Sequence, residues 1–207
     1  MPTGVIMKTI LCEERQPMDH KDLVRQSFDN QPLLPMGNYQ FLINPLTEQV
    51  PATSAALLRA AADWIIEAGN FTSATKIAGE EDKGAILVAA VSLATDLPFG
   101  MARWYPSGLA GQVTVGFAME YTQGALYLNG IERDDRVVIV DDMISTGGTM
   151  IALIHAVQQA GAQIMDIICV GEKPVYGGVQ RILDETGFSV KTLVKIDVSG
   201  ERSRLYV

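Results

Sequence analysis

The stretch RVVIVDDMISTGGTM, residues 136–150, concentrates the residue types that do chemistry. An apolar run delivers two adjacent carboxylates, Asp141 and Asp142, and a glycine-rich turn follows. Neighbouring carboxylates repel unless something cationic or hydroxylic engages them. A ribose diol or a hydrated Mg²⁺ ion would do so. Behind them Ser145, Thr146 and Thr149 offer hydroxyls, while Gly147 and Gly148 let the backbone approach an anion closely. If a helix opens there, its free amides and its dipole favour a phosphate group. A diol site beside a phosphate cradle has the shape of a ribose 5-phosphate. A Walker A reading fails because no lysine follows the glycines, and G-x-G-x-x-G is absent from this segment.

Such a segment needs a frame. Hydrophobic periodicity predicts helices around 20–28 and over 54–68, with a short strand at 39–44 between them. Strand and helix then alternate: strands at 74–78, 98–103, 136–140, 164–170 and 189–196, helices at 85–94, 148–160 and 178–186. Apolar strands of about five residues between helices imply an α/β fold with a parallel sheet flanked by helices. In such sheets ligands bind beyond the carboxyl ends of the strands, where Asp141 and Asp142 fall. Residues 104–122 read as one long glycine-rich connection. The whole chain, 1–207, reads as a single domain. Its core spans about 51–170, and a small hood comes from about 1–50 and 171–207.

Composition narrows the function classes. The chain has 207 residues, 48% hydrophobic and 19% charged, which is a globular balance. A net charge of −8 argues against nucleic acid as a partner. No apolar run reaches the ~18 residues that cross a bilayer, so no membrane partner is expected. The opening residues lack the pattern of a signal peptide. Cys12 and Cys169 lie far apart and outside any CxxC pair, as reduced thiols of a cytoplasmic protein do. His155 has no partner at metal-ligand spacing.

VVIVDDMISTGGT resembles the signature of type I phosphoribosyltransferases, which bind phosphoribosyl pyrophosphate (PRPP). From about residue 37 to 198 the chain is similar to the archaeal-type hypoxanthine/guanine enzymes, through GNYQFLINPL, WIIEAGNF, SLATDLPF, GALYLNGIE and KTLVKIDV. These are akin to adenine phosphoribosyltransferases. The resemblance implies the type I fold with its hood, Mg²⁺ as cofactor, a homodimer, and PRPP and a purine base as substrates. It implies purine salvage: base plus PRPP gives nucleoside monophosphate and pyrophosphate.

Carried over residue by residue, the resemblance gives Asp141 and Asp142 the ribose hydroxyls and the metal, and gives Met143, Ile144, Ser145, Thr146, Gly147, Gly148 and Thr149 the PRPP 5-phosphate turn. Residues 78–84 (AGEEDKG) take the place of the pyrophosphate loop, with Glu81, Asp82 and Lys83 as contacts; its crowded acids depart from the family pattern. Residues 101–119 match a mobile loop that closes over the reaction, with Arg103 as a pyrophosphate contact and Trp104 where relatives carry lysine. Arg103, Asp142 and Glu120 are the catalytic candidates. Glu120 with Tyr121 resembles a pair of the adenine enzymes and keeps an adenine substrate open. Val170, Glu172 and Tyr176 are expected at the base, with Tyr176 or Phe41 stacking on it. A PRPP-binding regulator without turnover is the other alternative, since two loop cations of the family are missing.

Overall fold

The computed structural model describes residues 19–118 and 123–206. Its helices are α1 (His20–Phe28), α2 (Ala55–Ala68), α3 (Ala85–Thr95), α4 (Gly148–Gln159) and α5 (Gly178–Thr186). Its strands are β1 (Leu33–Met36), β2 (Tyr39–Leu42), β3 (Lys76–Glu80), β4 (Phe99–Arg103), β5 (Val113–Ala118), β6 (Gln123–Asn129), β7 (Arg136–Ile144), β8 (Gln163–Glu172), β9 (Lys191–Asp197) and β10 (Arg204–Leu205). A 3-10 turn, Pro174–Tyr176, separates β8 from α5.

Eight strands form one sheet in the order β10-β9-β8-β7-β3-β4-β6-β5. Its centre, from β9 to β4, is parallel. Its two edges are antiparallel: β10 on β9, and the β5–β6 hairpin on β4. The expected parallel sheet forms the centre, and antiparallel strands extend both of its edges. The alternation of Val113 and Val115 with polar or small residues marks a half-buried strand, and both valines pack on buried Leu126 and Leu128. The irregular part of the expected mobile loop shrinks to residues 104–112. Glu120 lies outside the described residues.

Strand β7 sets the centre. Val138 and Val140 face one core layer, under α1, α2 and α3; Val137 and Ile139 face the other, under α4 and α5. All four are fully buried, which is why the run is apolar throughout rather than alternating. Helix α4 turns Leu153, Ile154, Ala156 and Val157 into the second layer, at about 1.5–3 kcal/mol for each fully buried large aliphatic side chain. Ser54 caps α2 by accepting a 3.1 Å hydrogen bond from the Leu57 amide.

The small β1–β2 hairpin stands apart from the main sheet. It is tied to the segment after β8 by side-chain bonds. Lys173 Nζ donates to the Gln40 carbonyl at 2.8 Å, and the Gln40 amide donates to Tyr176 Oη at 2.7 Å. Tyr39 and Tyr176 pack with ring centroids 4.9 Å apart. These bonds roof the carboxyl edge of the sheet.

Candidate functional site

A cavity of about 1130 Å³ opens beneath that roof. Its floor is the end of β7 and the turn behind it, Asp141 to Met150. Strand β7 runs four residues past its expected end, so both aspartates sit within the sheet, each 6% exposed. Burial, and the mutual repulsion of the pair, push Asp141 well above the usual carboxylate range. Burial also raises Asp142, to about 6, against the opposing pull of Lys83. One oxygen of Asp141 accepts the Asp142 amide at 2.9 Å. Asp142 Oδ2 is buried and has no hydrogen-bond partner among the described residues. A buried acceptor left unpaired is costly, so this atom is shaped for a donor or cation from a ligand. Gly84 keeps the approach clear: a Cβ there would stand 2.5 Å from Asp141 Oδ1.

The turn is fastened from behind. Gly147 adopts φ +80°, and a Cβ on it would meet the Gly178 carbonyl at 2.8 Å. A Cβ on Gly178 would meet the Ser145 carbonyl at 2.2 Å. Two glycines thus let the first turn of α5 lie directly against the Ser145–Gly148 turn, while α4 starts at Gly148 beside the cavity with the free amides of a helix N-terminus.

The opposite wall is acidic. Glu80, at the end of β3, is buried, and burial pushes it up to about 7. It accepts hydrogen bonds from the Trp104 indole and, at 3.1 Å, from the Asp82 amide. Glu81 accepts the Trp104 amide at 3.0 Å. Lys83 pairs with Glu48, and its ammonium lies 4.9 Å from the centre of the Phe41 ring. Lys173 lies over the same ring at 5.7 Å. Burial, followed by repulsion from Lys83, lowers Lys173 to about 8.

Of the residues expected at the site, the whole turn from Asp141 to Thr149, Asp82, Lys83, Phe41 and Tyr176 line the cavity. Four others stand elsewhere. The Val170 side chain is fully buried in the apolar core, because β8 runs on to Glu172 and turns that valine inward. Glu172 faces a separate small cleft and pairs with Lys195 at 3.2 Å. Glu81 and Arg103 lie outside the cavity lining, 3.8 Å from each other, with Arg103 packed 6.0 Å from the Tyr105 ring centre. Sequence reasoning missed Glu48, Lys173 and Arg181 as lining residues. A lysine directly after an apolar strand was the available signal for Lys173; Glu48 and Arg181 carry no local motif.

The carboxylate pair and the glycine-rich turn stand at the carboxyl edge of the sheet's parallel centre, the place where α/β proteins bind their ligands. The chain belongs to the phosphoribosyl transferase domain family, whose profile matches residues 48–203. It is 46% identical over 177 residues to the hypoxanthine/guanine phosphoribosyltransferase of Methanocaldococcus vulcanius, covering 85% of this chain and 95% of that one. The figures for the Methanocaldococcus jannaschii enzyme of the same name are equal. Among solved structures, adenine phosphoribosyltransferase from Rhodothermus marinus superposes with a TM-score of 0.71 at 26% identity, covering 85% of this chain and 98% of that one. A Trypanosoma brucei adenine phosphoribosyl transferase in complex with AMP, pyrophosphate and ribose-5-phosphate shares the fold, with a TM-score of 0.69 at 19% identity over 87% of this chain and 81% of that one. The mostly parallel sheet covered by helices is the type I phosphoribosyltransferase fold.

Proposed function

We propose that the chain transfers the phosphoribosyl group of PRPP to a purine base, with hypoxanthine and guanine favoured, in purine salvage. The observation that carries this reading is Asp142 Oδ2, buried and unpartnered among the described residues, beside the glycine-rich turn in a cavity roofed by aromatic residues. Asp141 and Asp142 hold the ribose hydroxyls, and the turn from Met143 to Thr149 wraps the 5-phosphate. The base lies between the turn and the hairpin, against Phe41, Tyr39 and Tyr176. Lys173 favours a 6-oxo over a 6-amino purine, because an ammonium donates and cannot accept. The names of the archaeal relatives point the same way.

In the reaction the bond from the anomeric carbon to pyrophosphate breaks, and a purine nitrogen attacks the oxocarbenium-like centre. The protein's main work is to position both partners and to stabilise charge on the leaving group. Lys83, released from Glu48, supplies a cation toward the pyrophosphate. The carboxyl of Glu80, which burial raises to about 7, limits repulsion of that group. Asp141 and Asp142 would hold a hydrated Mg²⁺ accompanying PRPP, and that ion would supply positive charge for the leaving group. The β1–β2 hairpin and residues 171–207 act as the hood of a single domain. We place the protein in the cytoplasm as a homodimer, with neither nucleic acid nor membrane as partner; among the described residues no helix is long and apolar enough to cross a membrane.

One assay tests the reading. The protein is incubated with PRPP, Mg²⁺ and each of adenine, hypoxanthine, guanine, xanthine, uracil and orotate, and pyrophosphate is followed. Release with hypoxanthine and guanine is expected. Release with adenine alone would move the assignment to adenine chemistry. Binding of PRPP without turnover of any base would point to a regulator.

A further inference from the structure

The phosphate turn carries no charge of its own between Met143 and Thr149. Five carboxylates and three cationic side chains line the cavity around it. A phosphate dianion entering that field needs a compensating cation close to the turn. Lys83 is engaged by Glu48 and Lys173 by the Gln40 carbonyl, both at the Phe41 side of the cavity. Arg181, in the first turn of α5, stands elsewhere. Its Nη1 donates to the Thr146 carbonyl at 3.3 Å, and its Nε pairs with Glu185 at 2.7 Å.

We infer that Arg181 is a 5-phosphate-binding residue, supplying from α5 the positive charge that the turn itself lacks. This rests on the transferase reading above and adds a contact outside its sequence motif. The close seating of Gly178 on the turn brings α5 near enough for a side chain from its first turn to reach the cradle. The guanidinium has five N–H donors, and two are committed to Thr146 and Glu185. Its Nη2 makes no bond among the described residues, so a forked pair of donors remains for phosphate oxygens. The ion pair with Glu185 is half exposed and weak enough to yield to a doubly charged ligand.

Calorimetry on the full chain with Mg²⁺ tests this, using ribose 5-phosphate and, separately, pyrophosphate as probes. Arg181→Met should weaken ribose 5-phosphate about tenfold or more and leave pyrophosphate within about twofold, as expected for one lost charge-assisted contact. Arg181→Lys, which keeps a charge without the fork, should fall between. Unchanged ribose 5-phosphate affinity in Arg181→Met, with the unmutated protein binding normally, overturns this inference alone. Equal weakening of both probes also overturns it, because the arginine would then be supporting the fold of the whole cavity. If the unmutated protein binds neither probe, the transferase reading falls, and this inference with it.

Discussion

Glu80→Gln separates charge from shape in the acidic wall. Glutamine retains an oxygen to accept from the Trp104 indole and the Asp82 amide, so the local geometry is kept. What changes is the cost of a buried negative charge. Burial lifts Glu80 from 4.5 to about 7, and at about 1.4 kcal/mol per unit this sets an upper bound of ~3 kcal/mol. The carboxyl binds its proton more tightly in the folded state than in the unfolded chain. Its contribution is therefore fully present below about pH 4.5 and is lost as pH rises through about 7. Urea denaturation of both proteins at pH 5 and pH 8 reads this out. Glu80→Gln should be more stable by about 1–3 kcal/mol at pH 8, with the gain shrinking below about 1 kcal/mol at pH 5. A gain of the same size at both pH values would refute the reasoning, since it could not then come from ionisation. A loss at pH 8 would mean that a further partner compensates the Glu80 carboxylate.

The other expectations concern the ligand. Asp141→Asn with Asp142→Asn should abolish PRPP binding in calorimetry while circular dichroism stays unchanged, since each lost charged hydrogen bond is worth about 1.5–3 kcal/mol. Lys173→Met should raise KM for hypoxanthine about tenfold with little change in KM for PRPP. In the unmutated protein the affinity for the base should weaken as pH rises through about 8, where the Lys173 ammonium is lost. Gly147→Ala should lower stability by about 1–3 kcal/mol in urea melts and raise KM for PRPP, because its φ of +80° and the nearby Gly178 carbonyl leave no room for a methyl group.

The central strands, the helices and the glycine-rich turn are legible in the residues alone, because those features are local. The apolar run of β7 declares a strand buried on both faces, Ser54 and the glycines punctuate the helices, and DDMISTGGT carries its chemistry in consecutive residues. Residues 104–122 read as a glycine-rich connection, and the β5 strand within it forms through pairing with β6. Which distant side chains line the cavity depends on long-range packing. Lys173 and Arg181 reach the cavity because a 3-10 turn and the Gly147–Gly178 contact fold the segment after β8 back over β7. Val170 is drawn into the core and Glu172 to Lys195 by the extra length of β8, which no composition rule predicts. The ends of a strand depend on what its neighbours offer to pair with, and a cavity wall on which helices pack beside it. Both are long-range contacts, and a linear pattern of residue types does not encode them locally.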